Sequence, residues 1–374
     1  MKMQMHGRNA TFKLAMASAT AIALTLLPRL GLAEETAPPP DYLPIPGGYL
    51  HPSCVHQIPS GAAVDTAHGD VRDASGALLA HYDHCEHEAR MSNRVRTLAP
   101  SEDTPREREI VPADNGWVEW AGQNLPAGAT TWNYYYSQIT VPPAPVVQNG
   151  QTLFYFGSFQ SSQGNGDILQ PVLQWGHSAA GGGNYWAVAS WQVYNFYGGV
   201  VEAYVTALMK VAPGNTIAGS IDLTNETYGC GYYNVPACPG AKGSFEEYAC
   251  GWTRTWQIDA SDWNSNQSEN ETIYLTPAGV CTTMGLNPTP IGSLDYPMTD
   301  MTSAVLEAYS KTTCSDPQNV QFSQIYIDAN VNNSSETAYV SVNYSPGSNS
   351  GVTSNNSPSC FWGSSTSGTT TVLW

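Results

Sequence analysis

From residue 111 onwards the sequence predicts an all-β domain, an antiparallel sandwich or barrel, and three observations carry that prediction. Phrases such as Thr131–Val141, Leu153–Phe156, Tyr185–Tyr194 and Gln324–Asp328 are rich in aromatic and β-branched residues, the composition that suits a pleated, half-buried surface. Clusters of Gly, Pro, Asn and Ser divide these phrases at turn-like intervals. No long segment repeats its apolar residues at the 3.6 period of a helix. The best helix candidate, Glu86–Arg96, lies upstream of this domain.

The upstream part divides in two. Lys2, Arg8 and Lys13 precede an apolar run, Leu14–Leu27, and a small-residue stretch, Gly31-Leu32-Ala33, meets Glu34. That order reads as a signal peptide over residues 1–33. The run is short for a transmembrane helix, and no later stretch approaches the roughly 20 apolar residues that span a bilayer. The expected product is secreted and extracellular. Residues 34–110 hold six of the eight histidines and six arginines, and end in the polar stretch Ser101–Glu109. We read them as a prosegment with an exposed processing linker over about 97–110. Residues 111–374 are then one catalytic domain, of a size common for a single sandwich.

Eight cysteines, an even number in an exported chain, favour disulfides. Cys54 with Cys85 and Cys230 with Cys238 are candidate local pairs; spacing alone does not fix the connectivity. From residue 111 onwards eighteen acidic residues face only Lys210, Lys242, Arg254 and Lys311. So few cations argue against nucleic acid or an anionic membrane as partner. An acidic surface keeps secreted proteins soluble, and it also suits work in acid, where carboxylates protonate and self-repulsion falls.

Two strand-like phrases interrupt apolar runs with polar groups. In Ile168–Trp175, Gln170 and Gln174 share a face with Ile168 and Val172, while Leu169, Leu173 and Trp175 face the other way. In Ser303–Tyr309, Glu307 shares a face with Val305 and Tyr309, leaving Ala304, Leu306 and Ala308 opposite. A buried amide or carboxyl is costly unless bonded. A mutual or backbone hydrogen bond explains most single cases.

In combination these phrases resemble the eqolisin (glutamic peptidase) family, of which scytalidoglutamic and aspergilloglutamic peptidases are members, over residues 115–344. Ile168-Leu169-Gln170 matches the phrase that carries the family's catalytic glutamine, and Val305-Leu306-Glu307 the phrase that carries its glutamate. Trp120-Ala-Gly122, Tyr134–Pro142, Tyr155-Phe-Gly157, Trp186–Trp191 and Val211–Ile217 follow in the family's order. Pro171 stands where the family has Thr, and Tyr155 where it has a substrate-site Trp. Because proline cannot donate to a ladder, the strand should be at an edge or bulged there. The layout of the precursor resembles that of neprosin-type peptidases, which use two glutamates instead.

The resemblance implies a concanavalin A-like sandwich of two curved sheets with both catalytic residues on the concave face. It implies a proenzyme of an endopeptidase in which Glu307 is general base and acid, and Gln170 stabilises the oxyanion. Trp120, Tyr155, Gln174, Trp175 and Tyr309 are the substrate-binding candidates, although core packing explains Trp175 better. Tyr197-Gly-Gly199 is either a flap over the groove or an ordinary hairpin. The expected partners are protein or peptide substrates and the protein's own prosegment as inhibitor, with no cofactor, no metal, no nucleic acid, no membrane and a monomeric state.

Other readings were weighed on the same residues. His81–His87 has the look of a metal cluster, set against a disulfide at Cys85 and a place in the prosegment. The same histidines offer a pH sensor. With His177 the only histidine after residue 87 and no Gly-x-Ser-x-Gly phrase, a serine triad is poorly supported. Nine tryptophans between Trp117 and Trp263 suit stacking on sugars, so a carbohydrate-binding or glycoside-hydrolysing sandwich is the alternative. A glycosidase would show a second carboxylate about 5–10 Å from Glu307, and a catalytically dead binding module would show Glu307 bonded away beneath the surface.

Overall fold

A computed structural model describes residues 38–91 apart from 67 and 88, and residues 115–373 apart from 147, 149, 162–166, 197–199, 237–243, 276–297, 310–318, 334–335, 343–348, 353–363 and 367–368. The expected signal peptide, the processing linker and the Tyr197–Gly199 flap fall outside the described residues.

The chain is built almost entirely of strands. The N-terminal segment carries β1 (Leu43–Ile45), β2 (Gly48–Leu50), β3 (Val55–Ile58), β4 (Ala62–Asp65), β5 (Asp70–Arg72), β6 (Leu78–His81) and β7 (Arg90–Met91). Among the described residues its one helical element is a 3-10 turn at Pro52–Cys54. The helix expected over Glu86–Arg96 falls largely outside the described residues; the described part includes β7, paired with β2. The following domain carries β8 (Asn115–Asn124), β9 (Thr131–Thr140), β10 (Thr152–Ser161), β11 (Ile168–Ser178), β12 (Gly181–Phe196), β13 (Val200–Thr206), β14 (Met209–Lys210), β15 (Thr216–Pro236), β16 (Ser244–Asp262), β17 (Gln267–Leu275), β18 (Met298–Tyr309), β19 (Asn319–Asn333), β20 (Glu336–Val342), β21 (Asn349–Val352), β22 (Ser364–Thr366) and β23 (Thr369–Leu373).

Two large sheets form the sandwich. One runs β21-β8-β18-β10-β11-β12-β13-β3, with β14 beside β12, and the other β22-β23-β19-β9-β15-β16-β17-β4-β5-β6, with β20 beside β19. Within the domain every pairing is antiparallel, as the short phrases and close turns predict. The N-terminal segment joins both sheets through the two parallel pairings, β3 on β13 and β4 on β17. Its strands β1, β2 and β7 form a small third sheet.

Period-2 alternation sorts the side chains of the first sheet onto two buried faces. Leu153, Tyr155, Phe159, Leu169, Leu173, Trp175, Trp186, Ala304, Leu306 and Ala308 enter the core between the sheets, against Trp132, Ile217, Trp256 and Ile258. Phe154, Phe156, Ile168, Val172, Trp191, Val305 and Tyr309 line the other face, which packs against Ile45, Tyr49, Leu50 and Cys54 of the N-terminal segment. This double covering explains why β10 is buried at every position.

Pro171 meets its constraint without an edge. β11 is interior, and the β10–β11 pairing runs to Phe156↔Val172 and resumes at Phe159↔Leu169. Between them lies Gly157, where β10 also bulges against β18. The interruption accommodates a residue that has no N–H to give.

The Cys54–Cys85 disulfide is formed, as expected. Cys230 lies opposite Cys250 in the β15–β16 ladder, and its expected partner Cys238 falls outside the described residues.

Gly157 is also where the sheets approach most closely on Tyr135. A Cβ at this position would overlap the Tyr135 hydroxyl, and that hydroxyl is bonded to Ser137 and to the Ser303 carbonyl. Gly157→Ala is therefore expected to destabilise the protein by about 1–3 kcal/mol, the range for forcing extra volume into a packed core. Thermal unfolding checks this, and an unchanged midpoint would show that Tyr135 can move aside.

Candidate functional site

The face that packs against the N-terminal segment carries the candidate site. Ile45 pairs with Gly48 across a two-residue turn, Pro46-Gly47. Gly47 has φ 96°, the left-handed value that a type II turn requires at its second central position, after a proline that pre-sets the first. The turn leaves the Gly47 N–H pointing away from the hairpin. It donates to both carboxylate oxygens of Glu307, at 3.0 and 2.8 Å.

Glu307 lies on β18 between Val305 and Tyr309, on the face the alternation assigns to it, and is 0% exposed. The Tyr309 hydroxyl donates to its second oxygen at 3.0 Å. An ionised carboxylate out of water costs several kcal/mol unless donors meet its oxygens, and charge-assisted bonds of this kind are the strong ones. Burial, followed by the Glu307 charge beside it, pushes the Tyr309 hydroxyl well above its ordinary range, so it stays protonated and donating.

The sheet register then decides which residues meet. Glu307 is paired with Phe154 of β10, and Phe154 with Gln174 of β11. Glu307 and Gln174 therefore lie level, two strand spacings apart with Phe154 between them. Gln170 lies four residues further along β11, about 13 Å along the strand and about 10 Å across two strand spacings. The structure puts both residues on one face but does not bring Gln170 to the level of Glu307. Sequence reasoning assigned the face correctly and had no access to the register.

The two glutamines differ in what they hold. Gln174 donates through Nε2 to the carbonyls of Gly176, at 2.9 Å, and Gly181, at 3.0 Å, which ties the end of β11 to the start of β12. Gln170 is 0% exposed, and neither of its amide atoms has a hydrogen-bond partner among the described residues. An unmet buried amide costs about 1–3 kcal/mol, so such a group asks for a reason.

The remaining candidates separate by face. Trp120 of β8 is paired with Val305 and packs against the covered face, where a groove wall would be. Tyr155 and Trp175 are in the core between the sheets, their rings 5.8 and 5.3 Å from that of Trp186. They point away from Glu307, because each alternates with residues of the site face, and this corrects their reading as groove walls. Tyr309 is bonded to Glu307 itself. The residue that sequence reasoning missed is Gly47; the Pro-Gly-Gly phrase signals a tight turn, but nothing local tells where that turn docks.

The histidine cluster of the N-terminal segment is dispersed. His81 turns to Asp70, at 2.9 Å, Cys85 is in the disulfide, and His87 stacks on His51 with ring centroids 3.9 Å apart. His84 lies 3.2 Å from Glu202, whose carboxylate also accepts the Cys85 N–H. Among the described residues no group of three or more His, Cys, Asp or Glu is placed to hold a metal ion.

Comparison with known proteins gives limited likeness. No family model matches the chain, and no curated protein matches it. Three solved structures are similar to it: scytalido-glutamic peptidase with a peptide-based transition state analogue (12% identity, TM-score 0.37), SCP-B, a member of the eqolisin family, with the tripeptide Ala-Ile-His (10%, 0.34), and scytalido-glutamic peptidase with a transition state analogue inhibitor (10%, 0.34). Each match covers 68% of this chain and 97% of the other. At these values the likeness is a distant one in fold. No helix among the described residues is long and apolar enough to cross a membrane.

His56 gives the docked segment a dependence on pH. Its ring stacks on Tyr82, centroids 4.1 Å apart, and lies 5.1 Å from Tyr204. Burial holds it below its ordinary pKa, opposed by the Glu202 charge and assisted by His84. Tyr204, which burial and Glu202 raise, and Asp65 beyond it complete the titratable groups of this corner. A docked pKa below the free value means that the undocked state binds the proton first, so docking weakens as pH falls below about 6.5. Limited proteolysis of residues 38–91 across pH 4–8 should show loss of protection in acid, with His56→Phe holding protection to lower pH. Coincident profiles would exclude His56 as the sensor.

Proposed function

We propose that this protein is the secreted precursor of an acid-acting glutamic endopeptidase, with Glu307 as general base and acid and residues 34–110 as an inhibitory prosegment. One observation carries the reading: a wholly buried carboxylate on the candidate face accepts the main-chain N–H of a turn lying against it. That is the contact a base needs with a peptide substrate, here made by the chain's own N-terminal turn.

The chemistry follows from the residue types. Glu307 takes a proton from a water whose oxygen bonds to the scissile carbonyl carbon, and the carbonyl electron pair moves onto oxygen. As the C–N bond breaks, Glu307 returns the proton to the leaving nitrogen, giving an acid and an amine. A carboxyl with an ordinary pKa near 4.3 keeps an ionised fraction down to about pH 4, where an imidazole base is protonated. The oxyanion needs a preorganised donor, an interaction worth a few kcal/mol where water is excluded. Gln170 is that donor in our reading. The phrase Ile168-Leu169-Gln170 and its unengaged amide support it; because the attacking water and the oxyanion share one carbonyl, the offset of about 13 Å along the strand has to close before Gln170 and Glu307 can act together. Gln174 is the second candidate because of its level with Glu307, but its N–H groups are already bound to two carbonyls.

Of the competing readings, the glycosidase lacks a second carboxylate within reach on β18, where the next one on this face, Asp300, lies seven residues away, about 20 Å. A catalytically dead binding module would show Glu307 bonded away beneath the surface, and the buried, hydrogen-bonded Glu307 also fits that reading; the activity of the Glu307 variant separates the two.

The precursor is to be incubated at about pH 3–4 with a denatured protein, alongside Glu307→Gln, Gln170→Ala and Gln174→Ala. Glu307→Gln should abolish hydrolysis and Gln170→Ala should lower it about 100-fold or more, the loss typical of an oxyanion donor. Gln174→Ala should reduce stability more than rate. Hydrolysis that persists with both Glu307→Gln and Gln170→Ala would defeat the assignment, and loss confined to Gln174→Ala would move the donor role there.

A further inference from the structure

We infer that Tyr309 is the positioning residue of Glu307, holding the carboxylate ionised and oriented through its phenolic hydroxyl once the N-terminal turn has left. The inference rests on the reading of Glu307 as the base, and gives Tyr309 a role distinct from contact with substrate.

Two residues apart on one strand, side chains share a face, and the Tyr309 hydroxyl donates to Glu307 Oε2 at 3.0 Å. The Gly47 and Tyr309 donors to that carboxylate differ in permanence. Gly47 belongs to a turn of the N-terminal segment. Tyr309 belongs to β18 itself and moves with Glu307. Its backbone is fixed opposite Thr152, and its ring is held edge-on by Phe154 at 5.8 Å and by Tyr49 at 5.0 Å. Without Tyr49, the Phe154 contact and the strand remain.

A base must be ionised before it acts, and a hydrogen bond to the charged form favours ionisation. Tyr309 is the titratable neighbour from the strand of Glu307, and Tyr49 the one from the N-terminal turn; β10 presents Phe154 at its level, and β11 presents Gln174. Tyr309 titrates far above any working pH, so it donates throughout. It cannot supply the proton that the leaving amine needs, and its effect on the reaction passes through Glu307.

Tyr309→Phe keeps the ring and removes the donor. The pH profile of kcat for hydrolysis of a denatured protein by the acid-incubated full chain should show two changes. The acid limb, set by ionisation of Glu307, should move to higher pH because the ionised form has lost a donor. The plateau should fall about tenfold, the worth of a hydrogen bond to a charged group, with KM little altered. Circular dichroism and thermal unfolding identify a variant that has failed to fold. In that event Tyr309→Trp, which retains a ring and places an N–H near the carboxylate, is to be compared, with partial recovery of the acid limb expected. An active wild type whose acid limb coincides with that of a folded Tyr309→Phe overturns this inference and leaves the base assignment standing. An inactive wild type overturns both.

Discussion

A carboxylate with no exposure to solvent organises this molecule. Glu307 sits on a sheet face beside Phe154, Phe156, Val172, Trp191 and Val305, and apolar surroundings tolerate a charge only where donors converge on it. Donors among the described residues include a hydroxyl two residues along the same strand and a main-chain N–H from a turn far away in sequence. The second explains the shape of the N-terminal segment. Pro46 and Gly47 make the turn that frees the N–H, Ile45, Tyr49 and Leu50 fill the apolar surface around it, and the Cys54–Cys85 disulfide ties the two arms of the segment together.

The fold was legible because alternation is a local property. Each assignment of Leu169, Leu173, Ala304, Leu306 and Ala308 to one face, and of Val172, Val305 and Glu307 to the other, needed only the period of two. The same period shows Trp175 facing the core, and would have shown Tyr155 doing so had it been applied across β10 instead of relying on likeness of phrase. What alternation cannot give is register. Whether Glu307 stands level with Gln170 or Gln174 depends on how β10 pairs with β18 and with β11, and pairing is a decision about two strands at once.

Proline 171 shows how a local rule can be right while its expected consequence is only one of two. The missing N–H had to be accommodated, and an edge was the simpler solution. The sheet instead keeps β11 interior and interrupts its pairing with β10 beside Gly157. Gly157 can serve there because the Tyr135 hydroxyl occupies the space a side chain would need. One interruption thus links the strand that carries Gln170 to the packing between the sheets.

The parallel pairings of β3 and β4 carry a consequence for the life of the molecule after any cut that removes the N-terminal segment. β3 borders β13 in one sheet and β4 borders β17 in the other, so the segment's departure bares a flank on both sheets at once. Each flank is a row of unsatisfied amide and carbonyl groups, the surface on which β proteins recruit a foreign strand. While the segment stays, β3 and β4 cover those flanks.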